Sequence, residues 1–488
     1  MDPRTPVIVG VSQHSQRPDD LTTALETSAL MTACVRDAAA DAGAPGLLTK
    51  LDTVAAVNGA WRYSDPGRLI ANEVGSPNAR TMLSFNGGNT PQSYMNALAA
   101  HIQNGEIDVA VVVGAETIWS RRRIRAQGID HPVTEQVDVE PDERFQSDVA
   151  MSTEFEVSRG LAAPINFYPI FESAIRADRG RTIDEHRTAI AELWAGFNAV
   201  AVDNPHGWSR TPMTAAEIRE PSPDNRMVGF PYTKAMNSNW DLDQGAAILI
   251  CSAEAAEAAG VPRDRWVFPH AGTDAHDTYS VTNRRDLHSS PAIGAAGARL
   301  FEITGRGPDD LDHVDLYSCF PSAVQIGAAE LGIDLQRQLT VTGGLCFAGG
   351  PLNNYVSHSI ATMVDVLRGD AGSLGLVTAN GGYVTKHALG LYSTEPAEHP
   401  FIADDVQATV DAVPTTPDDP SFTGTGVIEA ATVMHNRDGA ETGLAAIITP
   451  EGARTWGMSS DGDVMSMLMT DDAIGSSVTV NTAGQLLA

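Results

Sequence analysis

The segment "TGGLCFAGGPLNN" at 342–354 has the composition of a loop that presents groups to a site. We expect a strand to run through its glycine turn into a helix, which Asn353 or Asn354 would cap. Such a turn exposes backbone N–H groups or one side chain at a helix entrance. The turn itself holds two glycines, Gly349 and Gly350, a proline and one cysteine, Cys346. The segment therefore has the form of a catalytic loop without an acid, a base or an activated nucleophile.

Two other places in the chain carry groups that could stabilise a developing charge. Gly87, Gly88 and Asn89 precede a predicted helix that starts near Pro91. N–H groups at a helix N-terminus can form an oxyanion hole without any side chain. The phenol of Tyr317 could donate a hydrogen bond to an oxyanion, or remove a hydroxyl proton in an aldol-type cleavage. We predict that these groups meet in one pocket.

Three more side chains in these loops belong to the predicted pocket. Cys319 and Cys346 are expected to be buried structural thiols, which is the common role of an isolated cysteine. Tyr355 could act as a second phenol, although a tyrosine in a helix usually packs. The histidines have no partner at metal-ligand spacing, so we predict no metal site.

Alternating strands and helices must hold these loops in place. Residues 1–117 read as short buried strands separated by helical stretches, which is typical of βαβ units around a parallel sheet. A matching series begins near residue 265 and indicates an internal duplication. The helices of this second series are expected at 291–304, 321–332 and 354–368. A strand is expected between the last two of them, at "TVTGG" (340–344).

Two further segments differ from this pattern in composition. Residues 118–240 are rich in Arg, Pro, Trp and Asn and contain one clear helix, around 182–200. From about residue 396, β-rich runs alternate with turn sequences, which indicates a small closed β-domain of the OB type. Thirteen acidic residues against two basic ones in 401–488 argue against a groove for single-stranded nucleic acid.

The charge of the whole chain restricts its partners. The formal net charge is −30, whereas phosphate backbones and anionic headgroups attract Lys and Arg. We therefore expect neither nucleic acid nor a membrane surface as a partner, and self-association stays open. No apolar run approaches the ~18 residues that span a bilayer, and the start has no signal-peptide pattern. Four scattered cysteines favour a reducing, cytoplasmic location.

Five segments, in order, resemble sequence motifs of the thiolase superfamily. They are "NGEIDVAVVVGAETIW" (104–119), "DLDQGAAILICS" (241–252), "VDLYSCFPSAVQI" (314–326), "GGLCFAGGPLNN" (343–354) and "TANGG" (378–382). The chain is similar to the branch that contains acetyl-CoA acetyltransferases and sterol-carrier-protein thiolases. The resemblance implies a duplicated α/β fold, with two βαβαβαββ halves in α-β-α-β-α layers, an inserted loop domain and a C-terminal OB-like domain.

The domain boundaries follow from placing these motifs on the chain. They are 1–117 with 241–262 for the N-terminal half, 118–240 for the loop domain, 263–395 for the C-terminal half, and 396–488 for the small β-barrel-like domain.

The resemblance also implies that the thiolase catalytic residues are absent. The nucleophilic Cys falls on Gly88, its activating His on Gly350, the second Cys near Ala379, and the residue that helps bind the thioester oxygen on Tyr317. Covalent acyl transfer needs a nucleophile beside a base. We therefore expect a protein of lipid and acyl-CoA metabolism that binds CoA or an acyl-CoA without thiolysis or Claisen condensation. No further cofactor is implied.

Two alternatives stay open. One is a C–C lyase resembling thiolase-like retro-aldolases, which would act on a β-hydroxyacyl-CoA with Tyr317 as acid or base. The other is a non-catalytic interaction protein.

In thiolases the loop domain holds CoA, which points to five residues here. Arg121 and Arg123 belong to the densest basic cluster, "RRRIR", and could meet the 3′-phosphate. Arg226, Lys234 and Trp240 lie near the segment that contacts CoA in the family. Trp240 stands about where thiolases carry a small Ser, and this larger side chain could narrow or close the CoA tunnel; the sequence leaves open which.

Overall fold

A computed structural model describes residues 1–487; Ala488, the end of the predicted C-terminal domain, lies outside the described residues. Within this range the strands are β1 (Pro6–Ser15), β2 (Thr53–Ala56), β3 (Arg80–Ser84), β4 (Val109–Thr117), β5 (Glu143–Phe145), β6 (Met227–Gly229), β7 (Tyr232–Thr233), β8 (Asp243–Ser252), β9 (Phe268–His276), β10 (His313–Asp315), β11 (Leu374–Gly381), β12 (Lys386–Ser393), β13 (Ile402–Asp405), β14 (Gly424–His435), β15 (Ala440–Ile448), β16 (Arg454–Ser459), β17 (Ser477–Val480) and β18 (Leu486–Leu487). The helices are α1 (Thr27–Asp41), α2 (Pro66–Val74), α3 (Thr90–Gln103), α4 (Ile118–Gln127), α5 (Glu154–Ser158), α6 (Pro164–Asp178), α7 (Ile183–Asp203), α8 (Ala215–Arg219), α9 (Ala253–Ala258), α10 (Pro291–Thr304), α11 (Pro321–Leu331), α12 (Gly344–Phe347), α13 (Tyr355–Gly369), α14 (Gln407–Asp411) and α15 (Gly462–Leu468).

The first sheet has the strand order β1-β8-β4-β2-β3-β5. β8 runs antiparallel to both of its neighbours, whereas β4, β2, β3 and β5 pair in parallel. The sequence explains the central position of β4, because residues 109–115 are apolar or small and the whole strand is buried. A continuous apolar run of this kind is typical of a strand covered on both faces.

The second sheet repeats this plan in the order β10-β11-β12-β9-β13. β12 is antiparallel to its neighbours, as β8 is in the first sheet, and β9, β11 and β10 correspond to β1, β4 and β2. The two sheets thus share the connectivity of one repeated βαβ series, which agrees with the predicted duplication.

The strand that was predicted at 340–344, "TVTGG", does not form. The hydroxyl of Thr340 accepts the backbone N–H groups of Thr342 and Gly343 at 3.1 and 2.9 Å. The hydroxyl of Thr342 accepts the N–H of Gly344 at 3.2 Å. These local bonds offer the backbone an alternative to a strand ladder, so this part of the prediction is wrong.

Two helices lie between the sheets. α3 contacts β8 of the first sheet and β9, β11 and β12 of the second, and α13 contacts β8 and β11. α1 packs on the first sheet, and α10 packs on β9 and β12 of the second. This arrangement confirms the predicted α-β-α-β-α layers. The central helices begin directly after the two glycine-rich loops, so the layering brings both loops to the middle of the molecule.

The third sheet is built mainly from the C-terminal part of the chain, in the order β16-β15-β14-β17-β18. The N–H of Met458 in β16 donates to the carbonyl of Gly484 at 3.0 Å, and Met458 also bridges to Gln485, so the last strands return to the first. The all-β character is as predicted. β6 and β7 of the inserted segment join this sheet through β14, and β13, although it follows residue 396, pairs with β9 of the second sheet.

A buried arginine fixes the C-terminal domain to the second half. Arg454 is fully buried and holds Glu429 with Nε at 2.6 Å and Nη2 at 2.7 Å. Its Nη1 donates to the carbonyls of Thr282 and Arg284 at 2.8 and 2.6 Å. The indole of Trp456 donates to the Thr282 hydroxyl at 2.7 Å.

The helices described within residues 1–487 include no candidate for a membrane-spanning segment.

Candidate functional site

A large cavity, of about 1690 Å³, opens between the two halves and the inserted segment. Gly88 from the first half and Tyr317 and Gly350 from the second half all line it. The structure therefore brings these three sequence-predicted residues together. Among the described residues, none beyond position 395 lines the cavity, so its walls come from the layered core and the inserted segment.

The centre of the cavity is defined by the contact between Tyr317 and Gly88. A β-carbon at Gly88 would lie 2.5 Å from the hydroxyl oxygen of Tyr317 and 3.1 Å from its Cζ, and it would also meet the carbonyl oxygen of Asn380. Glycine is the residue that permits such an approach of neighbouring groups to the backbone. The phenol thus occupies the space into which any side chain at position 88 would project.

Tyr317 is held as a neutral phenol. Its backbone N–H donates to the Thr378 hydroxyl at 2.9 Å, while its own hydroxyl takes part in none of the hydrogen bonds found within residues 1–487. Burial, together with nearby Cys319 and Tyr355, raises the pKa of Tyr317 well above its ordinary value. A phenol with a raised pKa is a hydrogen-bond donor at neutral pH and a poor base.

The turn before α3 presents fewer groups than the sequence suggested. The N–H of Gly87 donates to Asn353 Oδ1 at 3.1 Å, so it is already used. The Asn89 side chain donates to Ser93 at 3.1 Å and does not line the cavity. The Gly88 N–H donates to no acceptor among the described residues. Of the predicted oxyanion set Gly87, Gly88 and Asn89, only Gly88 faces the cavity.

The loop at 349–354 joins the two halves. A β-carbon at Gly350 would lie 2.6 Å from the Ser238 hydroxyl, so a side chain at this position would require Ser238 to turn away. Asn353 accepts the Gly87 N–H and donates to the carbonyl of Asn58 at 2.9 Å. Asn354 precedes α13 without capping it, and its amide donates to the carbonyl of Gly114 at 2.7 Å. The predicted helix cap is wrong, because the side chains of both asparagines form hydrogen bonds with the backbone of the first half instead.

Ala379 lies outside the large cavity. It is buried in β11 opposite Ala388, and it lines a separate void of about 20 Å³ behind Tyr317. The neighbouring residue Asn380 lines the large cavity. Side chains alternate between the two faces of a strand, which explains why one of these two residues reaches the site and the other does not.

Tyr355 is a buried neighbour of the site and not a second phenol within it. Its ring stands nearly perpendicular to that of Tyr317, with centroids 5.6 Å apart. Its hydroxyl is 2.6 Å from that of Thr342, and Thr340 donates to Asp315 at 3.0 Å. Burial raises the pKa of Asp315 to about 7. This polar cluster supports the Tyr317 ring from behind.

The two cysteines of the loops line the cavity as unreactive thiols. Burial raises the pKa of Cys319 to about 12. It raises the pKa of Cys346 further, and the Cys346 Sγ lies 3.9 Å from the carbonyl oxygen of Cys319. Because the thiolate is the nucleophilic form, neither sulfur is activated here.

The predicted CoA-binding residues divide into two groups. Arg123, Lys234 and Trp240 line the cavity, and the Trp240 side chain is 51% exposed. Arg121 instead donates to the carbonyl of Ala60 at 2.6 Å, away from the cavity.

Arg226 also lies away from the cavity. It binds the carbonyls of Met227 and His435 at 2.8 and 3.0 Å, so it ties the inserted segment to the C-terminal domain.

Sequence reasoning missed several residues of the site. Tyr168 on α6 lines the cavity, accepts the Asn380 amide at 3.0 Å and stacks on Phe320 with centroids 4.4 Å apart. Nothing in an apolar helix marks such a tyrosine in advance. Arg17 and Trp208 also line the cavity, and they lie too far apart in the sequence for any spacing to reveal them.

No metal centre is indicated. Within residues 1–487, no group of three or more His, Cys, Asp or Glu side chains is placed to hold a metal ion.

Comparison with known proteins agrees with this architecture. Residues 405–485 match the family described as the thiolase-like protein type 1 additional C-terminal domain. The acetyl-CoA acetyltransferase of Methanothermobacter thermautotrophicus is 25% identical over 269 residues, which are 52% of this chain and 66% of that protein. The Ltp2–ChsH2(DUF35) aldolase shares the fold, with a TM-score of 0.62 and 18% identity over 80% of this chain and 99% of that chain.

One solved structure is similar over the entire length. It is a monomeric SCP2-thiolase-like protein type 1 from Mycobacterium smegmatis, with a TM-score of 0.87 and 32% sequence identity. The match covers 100% of this chain and 99% of that chain, so it includes both halves, the inserted segment and the additional C-terminal domain. The chain therefore belongs to the SCP2-thiolase-like proteins of type 1.

Proposed function

We propose that this protein binds CoA or an acyl-CoA in the large cavity and forms no acyl-enzyme. The observation that carries the proposal is the position of the Tyr317 hydroxyl, which fills the space of a side chain at Gly88. At Gly350 the atom nearest to a β-carbon is the Ser238 hydroxyl, 2.6 Å away, so a histidine there would first have to displace that side chain. Covalent acyl transfer requires both a nucleophile and its base, and glycine supplies neither at these two positions.

The size and walls of the cavity support the binding part of the proposal. Pockets for drug-sized ligands are roughly 300–1,000 Å³, and this one, at about 1690 Å³, suits a longer ligand. Apolar side chains such as Ile165, Phe320 and Leu345 line it together with the basic mouth residues. An acyl-CoA has this combination of an apolar chain and an anionic nucleotide end.

Titration of the full-length protein with CoA, acetyl-CoA and a long-chain acyl-CoA in a calorimeter tests the proposal. We expect saturable binding with one site per chain, and competition between CoA and the acyl-CoAs. Absence of heat and of competition at millimolar ligand would overturn the proposal and would favour the non-catalytic interaction protein.

A C–C lyase is the second candidate, and the unpaired phenol favours it. In a retro-aldol cleavage the β-hydroxyl loses its proton, the Cα–Cβ bond breaks, and the electron pair becomes the enolate of the thioester, which is then protonated. Tyr317 and the free N–H of Gly88 could donate hydrogen bonds to this enolate oxygen. The raised pKa of Tyr317 opposes its use as the base, so we rank binding first. Release of an aldehyde or ketone from a β-hydroxyacyl-CoA would reverse this order.

We also propose that the protein acts as a monomer. The edge of β3 is occupied by β5 of the same chain, with Met82 opposite Glu143, and Glu143 and Arg144 make the outer strand short and charged. Edge strands of this type resist further pairing. The similar M. smegmatis protein is described as monomeric. Light scattering that gave twice the chain mass of 51.6 kDa would contradict this proposal.

We also propose a cytoplasmic location and the absence of nucleic-acid and membrane partners. The four cysteines are free thiols, which supports a cytoplasmic location in acyl-CoA metabolism. The acidic charge supports the absence of nucleic-acid and membrane partners. Filter binding of the full chain to single-stranded DNA at low salt should show no retention, and salt-sensitive retention would contradict this.

A further inference from the structure

A small void lies between the inserted segment and the C-terminal domain. Its volume is about 20 Å³. Side chains of α6 and α7 form one wall, and the C-terminal domain closes the void with apolar side chains such as Ala431, Leu468 and Ile474. A space that holds one water molecule needs roughly 10–15 Å³ on this measure. The void is therefore large enough for one water molecule or one monatomic ion.

A buried carboxylate and a buried histidine form the polar wall of this void. Glu172 and His186 are 0% and 1% exposed, and His186 Nε2 lies 2.5 Å from Glu172 Oε1. The amide of Gln325 donates to the same oxygen at 2.6 Å, and the hydroxyl of Tyr232 donates to Glu172 Oε2. A carboxyl group that accepts hydrogen bonds on both oxygens is held in its ionised form. A buried carboxylate needs a positive partner, which makes His186 an imidazolium.

The second ring nitrogen of His186 has no partner in the protein. The Nδ1 atom is buried and takes part in no hydrogen bond among the described residues. In an imidazolium both ring nitrogens are donors, so Nδ1 carries a proton that Glu172 does not accept. A buried donor without an acceptor destabilises the folded state. Since His186 lines the void, the void is the space in which an acceptor can lie.

Two arginines line the same void. The Nε of Arg187 is buried and has no hydrogen-bond partner within residues 1–487, while its Nη2 donates to the carbonyl of Arg219 at 2.8 Å. Arg176 is 9% exposed and forms a long ion pair with Asp471, at 3.9 Å. Burial lowers the pKa of both guanidinium groups. Nearby carboxylates therefore compensate these two charges only in part.

The charges around the void favour an anion over water. His186, Arg176 and Arg187 contribute three positive charges, and Glu172 is the one carboxylate among the described residues that line it. Water could accept the hydrogen bond of Nδ1, but it would leave the excess positive charge in a partly apolar space. A polyatomic oxyanion such as phosphate exceeds a volume of about 20 Å³. A monatomic anion meets both the size and the charge.

We propose that this void binds one chloride ion, held by the Nδ1–H of His186 and by the guanidinium groups of Arg176 and Arg187. The ion lies where the inserted segment meets the C-terminal domain, beside the bond from the N–H of Ala431 to the Ser173 hydroxyl at 2.9 Å. Chloride thus stabilises the contact between these two parts of the chain. The inference is independent of the proposed function, because the void and the large cavity share no lining residue.

The direct test replaces chloride with bromide, which is located by its anomalous scattering. Crystals of the full-length protein are soaked in sodium bromide, and a matched crystal is soaked in sodium gluconate. We expect one anomalous peak in the void, in contact with His186 Nδ1, and no such peak in the gluconate crystal. A water molecule or no ordered group in the void, in crystals that bind bromide elsewhere, would overturn the proposal.

Thermal unfolding measures the same site in solution. Sodium chloride and sodium gluconate are compared at equal ionic strength, since gluconate is too large for the void. We expect the unfolding midpoint to rise by about 1–2 °C for each tenfold increase in chloride above its dissociation constant, because the ion binds only the folded state. Equal midpoints in the two salts at every concentration would contradict the proposal.

Two variants separate this site from general effects of salt. Arg187→Gln removes one charge from the void and should abolish the chloride-dependent rise. The matched control is Arg181→Gln, which removes the same charge nearby from a residue that does not line the void, so it should keep the rise. Ala431→Val narrows the void without changing any charge and should also abolish the rise, which keeps the test decisive if Arg187→Gln does not fold. A rise that persists in Ala431→Val, or that is lost equally in both arginine variants, would overturn the proposal.

Discussion

The centre and the mouth of the cavity differ in what they offer a ligand. At the centre, a side chain at Gly88 would clash with the Tyr317 phenol and the Asn380 carbonyl oxygen, and one at Gly350 would displace the Ser238 hydroxyl. At the mouth, charged and aromatic side chains such as Arg122 remain exposed. We therefore propose that the centre opposes covalent chemistry while the mouth attracts an anionic ligand. Recognition and acyl transfer would then be separate properties of one thiolase fold.

The largest effect that we expect is a strong decrease in the reactivity of the two thiols at the centre of the cavity. Burial raises the pKa of Cys319 from an ordinary value of 9.0 to about 12, which lowers the thiolate fraction at pH 7.5 about 10³-fold. We expect iodoacetamide to alkylate Cys319 and Cys346 at least about 10³-fold more slowly in the folded than in the urea-unfolded protein, measured by peptide mass spectrometry. Rapid alkylation of either cysteine in the folded protein would reveal an activated thiol.

Filling the centre should have the next largest effect. Gly350→Trp places an indole in the cavity, and we expect at least about a 100-fold loss of acyl-CoA affinity, because the ligand and the ring compete for one space. The matched control is Gly196→Trp, since a β-carbon at that exposed helix position meets nothing within 4 Å. Calorimetric titration gives the affinities, and thermal unfolding verifies that both variants fold. Unchanged affinity in a folded Gly350→Trp protein would exclude the centre from the binding site.

Removing a charge from the mouth should have a smaller effect. Arg123→Gln should weaken CoA binding by about tenfold and reduce its salt dependence, because a partly exposed charge is screened by salt. Arg125→Gln serves as the control, since Arg125 lies on the same helix, is exposed and does not line the cavity. Titrations at two ionic strengths measure both quantities. The same change in both variants would mean that only the overall charge matters.

The smallest effect is expected from the central hydroxyl. Tyr317→Phe should alter acyl-CoA affinity by about 0.5–1.5 kcal/mol, which is the contribution of one hydrogen bond, with little change in stability. Tyr355→Phe should do the opposite, because it removes a buried hydrogen bond between Tyr355 and the Thr342 hydroxyl and costs about 0.5–1.5 kcal/mol in the free energy of unfolding. Denaturant unfolding and calorimetry separate the two cases. A large decrease in the free energy of unfolding of the Tyr317→Phe variant would show that Tyr317 is a core residue.

The sequence predicted the regular elements well where apolar periodicity was strong. The helix expected at 291–304 is observed at Pro291–Thr304, and the one expected at 354–368 is observed at Tyr355–Gly369. The strand expected at 340–344 failed because threonine hydroxyls satisfy the backbone there. The periodicity of apolar residues indicates which face of an element is buried. It carries no information about hydrogen bonds between a side chain and the neighbouring backbone.

The site was predicted only in part, for geometric reasons. The motifs located Gly88, Tyr317 and Gly350, which line one cavity. Arg121 and Arg123 were grouped by sequence, yet positions two apart on a helix point in different directions, and only Arg123 reaches the mouth. Residues such as Arg17, which meets Trp208 from 191 positions away, become visible only in the folded chain.

The most direct test of the central claim is the intact mass of the protein while an acyl-CoA is bound. Full-length protein is saturated with acetyl-CoA or acetoacetyl-CoA, and calorimetry verifies the saturation. The sample is then quenched with acid, the protein mass is measured by mass spectrometry, and free CoA is assayed in the same sample. We expect a bound ligand, an unchanged protein mass and no release of CoA. A protein mass increased by one acyl group, with CoA released in equal amount, would contradict it.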